Sequence, residues 1–81
     1  MGALTDKVAL ITGGSTGIGF ATARQFVADG ARVFITARRQ KELDQAVSTI
    51  GKSITGIVGD VSKLADLDRI MATIEKAEEA P

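Results

Sequence analysis

The sequence predicts an α/β fold: a parallel β-sheet with helices on both faces, three layers in all, in the order βαβαβα. Two observations predict it. Short apolar runs of strand length alternate with stretches whose apolar residues recur at helical spacing. Glycines stand where one kind of stretch gives way to the other. Strands that alternate with helices form parallel sheets through right-handed crossovers. Two successive crossovers in one direction give strand order 3-2-1. The first two helices then share one face and the third crosses to the other.

Each element has its own signal. Val8 to Thr12 is a short, continuous apolar run. Its brevity and the glycines after it favour a strand buried on both faces. Gly17 to Asp29 reads as a helix. Placed at about 100° steps, Gly19, Phe20, Ala23, Phe26 and Val27 share one arc, and Gly30 stops the helix. Arg32 to Thr36 is the second strand. Arg39 to Ile50 is the second helix, since Leu43, Ala46, Val47 and Ile50 match the i, i+3, i+4, i+7 pattern, and Gly51 ends it. Lys41 to Asp44 reads as its solvated face. Ile54 to Val58 is a third strand, weakened by Gly56. Ser62 is a plausible N-cap for a third helix whose core stripe is Leu67, Ile70, Met71 and Ile74. Glu75 to Pro81 is polar and expected to fray.

No fourth strand follows, so the Val8 to Thr12 strand is expected to have a free edge open to pairing. At 81 residues the chain is one small unit that buries only roughly 60% of its unfolded surface. An apolar fraction of 44% and a charged fraction of 25% are ordinary for a globular domain. Net charge is zero and the three aromatics are all Phe, which argues against nucleic-acid binding. Without Cys or His there is no thiolate or imidazole metal site, so no metal is expected, and a cytoplasmic protein is the simplest reading. Met1 to Lys7 lacks the apolar core of a signal peptide. It opens like a myristoylation site, but Asp6 stands where Ser or Thr is wanted. No run approaches the roughly 20 apolar residues of a membrane span.

The candidate chemistry lies in the loops. Gly13, Gly17 and Gly19 sit where the first strand turns into a helix, in the stretch Thr12-Gly13-Gly14-Ser15-Thr16-Gly17-Ile18-Gly19. The first N–H groups of a helix lack partners and the dipole makes that end partly positive, so a pyrophosphate fits there if the backbone can come close. Glycine permits that approach. The strand before and the βαβ spacing after raise this above a simple turn. It is not a Walker A loop, because no Gly-Lys-Ser/Thr follows. Dinucleotide folds of the Rossmann type carry a ribose-contacting residue about 20 positions further on. An acidic residue there would repel a 2′-phosphate. This chain has Arg38 and Arg39, and Arg38 can grip a phosphate bidentately, which favours NADP over NAD. The plain alternative is a pair of solvated arginines, although cations gain nothing from a helix start. Asp60 and Val61 follow the third strand. Asp60 could accept from an adenine amino group or help cap the third helix, and the residues leave both open.

Together these residues resemble the short-chain dehydrogenase/reductase family. The resemblance rests on Thr12-Gly13-x-x-x-Gly17-Ile18-Gly19, on Arg38 after the second strand and on Gly59-Asp60-Val61 after the third, and it runs from about residue 5 to 75. It looks like the NADP-preferring branch that includes 3-oxoacyl-carrier-protein-reductase-like and glucose or polyol dehydrogenase-like members. The resemblance implies that the glycine loop holds the pyrophosphate, with Ser15 and Thr16 on phosphates or ribose and Ile18 near the nicotinamide side. It implies that Arg38 binds the 2′-phosphate and that Asp60 and Val61 frame the adenine. The family continues with an Asn-Asn-Ala-Gly strand, a catalytic Ser and a Tyr-x-x-x-Lys motif, whereas this chain has no Asn and no Tyr.

Residues 1–81 are therefore expected to be the N-terminal part of an NAD(P)-binding Rossmann domain. The parent would be an NADP-dependent oxidoreductase acting on a small carbonyl/alcohol substrate, and the chain alone would hold no catalytic residue. Two other readings stand beside this one. The chain could be a stand-alone dinucleotide-binding module, or an assembly piece that self-associates through its free strand edge.

Overall fold

The computed structural model describes residues 6–13 and 15–79. The expectations for Met1–Thr5, for Gly14 of the glycine loop and for Ala80 and Pro81 lie outside those residues. The elements run β1 (Val8–Thr12), α1 (Gly17–Ala28), β2 (Arg32–Ala37), α2 (Gln40–Ile50), β3 (Ile54–Val58) and α3 (Leu64–Glu79). The three strands form one parallel sheet with β2 in the middle, the expected order. Val8 pairs with Arg32 and Thr12 with Thr36, while Val33 pairs with Ile54 and Ala37 with Val58.

Strand side chains alternate between faces, and the two faces have different covers. Val33, Ile35 and Ala37 of β2 pack with Ala23 of α1 and with Leu43 and Ala46 of α2. Phe20, Phe26, Val27, Val47 and Ile50, all from the predicted arcs, close this layer. On the other face Phe34 of β2 and Ile57 of β3 meet Ile70 of α3, with Leu10, Val61 and Ile74 around them. The third helix thus crosses to the second face, giving the three layers. Full burial of side chains such as Ile35, Leu43 and Ile70 contributes about 1.5–3 kcal/mol each. Among the described residues β1 pairs with β2 alone, and Val8 is exposed at its open edge.

Four local expectations change. Ser62 does not cap α3, because the helix starts at Leu64 and the carbonyl of Lys63 accepts its first bond, from the Leu67 N–H at 3.0 Å. Glu75 to Glu79 are helical and complete α3, where Glu78 pairs with Arg32 at the start of β2. Met71 is 45% exposed, so the core stripe of α3 is narrower than its spacing suggested. Gly56, expected only to weaken β3, is a packing requirement. A Cβ there would lie 2.8 Å from Leu43 Cγ and 3.0 Å from Val47 Cγ2. Leu43 is wholly buried and has nowhere to retreat.

No helix among the described residues is long and apolar enough to cross a membrane. Replacing Gly56 with Ala is expected to lower stability by about 1–3 kcal/mol through overpacking, despite the better strand propensity of Ala. Urea denaturation should show a lower midpoint at an unchanged slope.

Candidate functional site

The loops that follow all three strands meet at the carboxyl edge of the sheet, where parallel α/β sheets bind ligands. The ladder itself brings them together. The N–H of Gly13 donates to the carbonyl of Thr36 at 3.0 Å, and the N–H of Gly59 donates to the carbonyl of Ala37 at 2.9 Å. The end of β2 therefore anchors the loop after β1 on one side and the loop after β3 on the other. Between them lies an open cleft of ≈ 480 Å³.

Seven of the ten sequence-predicted residues line this cleft: Gly13, Ser15, Thr16, Arg38, Arg39, Asp60 and Val61. The other three, Gly17, Ile18 and Gly19, form the first turn of α1 just behind it, and Ile18 is 87% exposed. Gly13 and Gly17 have φ of +68° and +59°, and a Cβ at either position would meet no atom within 4 Å. These glycines answer to backbone conformation and leave the loop surface open to a ligand. Thr16 is the N-cap of α1, yet its side chain makes no capping hydrogen bond. The orphan N–H groups of this helix start are thus left without their usual side-chain acceptor.

Arg38 and Arg39 stand immediately after β2, both exposed, and Arg39 Nη1 lies 3.6 Å from Glu42 Oε1. Asp60 Oδ1 accepts from the backbone N–H of Ser62 at 2.9 Å and from Ser62 Oγ at 2.6 Å. The carboxylate closes a turn on its own loop, which is close to the capping alternative but ahead of the helix instead of on it. The hydroxyl bond from Ser62 holds the Asp60 carboxyl below the ordinary carboxylate range. The Ser62 N–H is the next cause; partial burial opposes it, and the charges of Arg38 and Lys63 add to the lowering.

Several site residues escaped the sequence reading. Thr36 and Ala37 line the cleft at the end of β2, where only their place in the sheet marks them, and Thr12 and Gly59, which stand in the quoted motifs without an assigned role, line it too. Glu42 sits on a stretch read as solvated, and it lines the cleft as well. Asp66 and Arg69 of α3 brace the loop after β3. Asp66 Oδ2 accepts from the Asp60 N–H at 2.9 Å, and Arg69 Nη2 donates to the Val58 carbonyl at 2.7 Å. The two side chains lie 3.9 Å apart. A Cβ on Gly59 would come within 2.8 Å of Arg69 Nη2, so the missing side chain leaves room for that guanidinium. Their i, i+3 spacing was the only available signal, and it is common on any helix.

A parallel sheet with a glycine loop, a basic strand end and an acidic third loop on one edge defines a nucleotide-fold type of protein. Residues 7–79 match the family model described as short chain dehydrogenase, and the chain belongs to that family, whose members are oxidoreductases that use NAD(P). It is 52% identical over 75 residues to an oxidoreductase, asL5, of Sarocladium schorii, an overlap of 93% of this chain and 30% of that protein. It is 47% identical over 76 residues to the human dehydrogenase/reductase SDR family member 4, an overlap of 90% of this chain and 27% of that protein. A solved structure of a short chain dehydrogenase/reductase family protein superimposes with a TM-score of 0.83 at 36% identity, covering 86% of this chain and 30% of that one. The chain thus spans less than a third of the length of these relatives.

A carboxyl with a depressed pKa adds stability above its unfolded pKa and loses that contribution as pH falls through the folded value. The Ser62 contact to Asp60 should therefore weaken in acid. Ser62→Ala is expected to raise the Asp60 carboxyl pKa towards the ordinary range, read by NMR titration of its carboxyl carbon. An unmoved titration would show that the hydroxyl is not the main cause.

Proposed function

We propose that the cleft binds NADP and that the protein to which these residues belong transfers hydride between the nicotinamide and a small carbonyl/alcohol substrate. One observation carries the choice of NADP: Arg38 opens onto the same cleft as the glycine loop, at the end of the middle strand, where a dinucleotide fold meets the adenosine ribose. A guanidinium there favours a 2′-phosphate, whereas a carboxylate would repel it.

The residues fit the cofactor. Gly13, Ser15, Thr16 and the N–H groups of Gly17, Ile18 and Gly19 would hold the pyrophosphate at an uncapped helix start. Arg38, with Arg39 beside it, would take the 2′-phosphate. Val61 would lie against the adenine. Oδ1 of Asp60 already serves Ser62, so an adenine amino group would meet Oδ2. When bound, the cofactor would give hydride to a carbonyl or take it from an alcohol; these residues would bind and orient it.

Residues 1–81 would then be the N-terminal part of the cofactor domain. The sequence has no Tyr, so the general acid/base that the family resemblance implies would come from the part of the relatives' length beyond this span. The open edge of β1 supports pairing with a further strand, from the same protein or from a second copy. The cysteine-free sequence agrees with a cytoplasmic protein.

Arg38→Gln is expected to weaken NADPH binding by roughly 10- to 100-fold, the loss of a charge-assisted bond, and to leave NADH binding nearly unchanged. Equal losses for both dinucleotides would refute the 2′-phosphate role. The purified 81-residue chain is expected to bind NADPH without turnover. Carbonyl-dependent NADPH oxidation by a sample of that mass would overturn this.

A further inference from the structure

We propose that Glu42 sets how strongly the cleft prefers a 2′-phosphate to a 2′-hydroxyl, by presenting a carboxylate beside the arginines that attract the phosphate. The inference rests on the dinucleotide reading above.

Glu42 lies in the first turn of α2 and lines the cleft together with Arg38 and Arg39. Its Oε1 is 3.6 Å from Arg39 Nη1, with the two side chains 43% and 80% exposed. An ion pair this exposed holds little structure together. Its consequence is electrostatic. Each arginine has a carboxylate in its field, Asp60 for Arg38 and Glu42 for Arg39, so the four charges of this wall sum to zero. The two carboxylates differ in their engagement. Asp60 is tied to its own loop by Ser62. Glu42 shares the cleft with the glycine loop and both arginines, and it also borders a neighbouring groove with Ser15 and Thr16, so its charge acts on the loop side of the arginine wall. A phosphate monoester carries a charge of roughly −2 near neutral pH and is repelled by that carboxylate, whereas a neutral hydroxyl is not. Glu42 therefore opposes the preference that the arginines create, and keeps the two dinucleotides closer in affinity than the arginines alone would.

The test is the ratio of NADH to NADPH dissociation constants, measured by titration calorimetry on the wild-type chain, E42Q and E42D, with the melting temperature as a control for folding. E42Q is expected to raise the preference for NADPH roughly 3- to 10-fold, almost wholly through tighter NADPH binding. E42D keeps the carboxylate and should stay near wild type. Added salt should shrink the gain. An E42Q ratio equal to or below that of wild type overturns the proposal, a lower one showing that Glu42 serves by holding Arg39 in position. A wild-type chain that binds neither dinucleotide overturns the dinucleotide reading and this one with it. A wild-type preference for NADH overturns only the choice of NADP, because the upward shift on removing the carboxylate keeps its sign.

Discussion

The end of β2 is the constraint on which the rest depends. It is the middle strand, and nearly all of it is buried between the two helical layers. Its last two carbonyls have one task each: Thr36 accepts from Gly13 and Ala37 accepts from Gly59. The ladder of a parallel sheet thus continues past the regular strands and fixes the first residues of two loops. Arg38 follows directly on Ala37, the last residue of β2 in register with β3. A cleft assembled from three loops needs a shared reference point, and here the reference is a pair of backbone hydrogen bonds in a buried strand.

The helices make that strand possible and aim the loops at the same time. Leu43 and Val47 of α2 fill the space above Gly56, so α2 and β3 approach more closely than a side chain would allow. Ile70 of α3 plugs the opposite face. From that anchored position α3 turns Asp66 and Arg69 back onto the loop after β3, one on the Asp60 N–H and the other on the Val58 carbonyl. The backbone around Asp60 is thereby held from two sides, and its carboxylate is held by Ser62. Charge is distributed with the same economy. Two arginines and two carboxylates share the cleft, so selectivity for a ligand rests on which of them a ligand phosphate meets at close range.

Most of the architecture was legible in the residues. The apolar arcs of α1 and α2, with Phe20, Ala23, Leu43 and Ala46, announced themselves by period, and those helices lie within a residue of their expected bounds. The alternation of strands and helices determined a parallel sheet, its order and the side on which each helix lies, because crossover handedness leaves few choices. Seven of the residues lining the cleft were legible for the same reason: strand ends in a parallel sheet share an edge. The sequence by itself therefore determined the fold, the family and the loops that meet. Only the tertiary structure decided what neighbouring side chains do to one another. Ser62 serves Asp60 instead of capping α3, Glu75 to Glu79 stay helical with Glu78 paired to Arg32, and Glu42 lines the cleft beside Arg39. These outcomes depend on distances between residues on different elements or on different turns of one loop. Periodicity carries the angle of a residue around its own axis, and the distance to a partner exists only once the layers have packed.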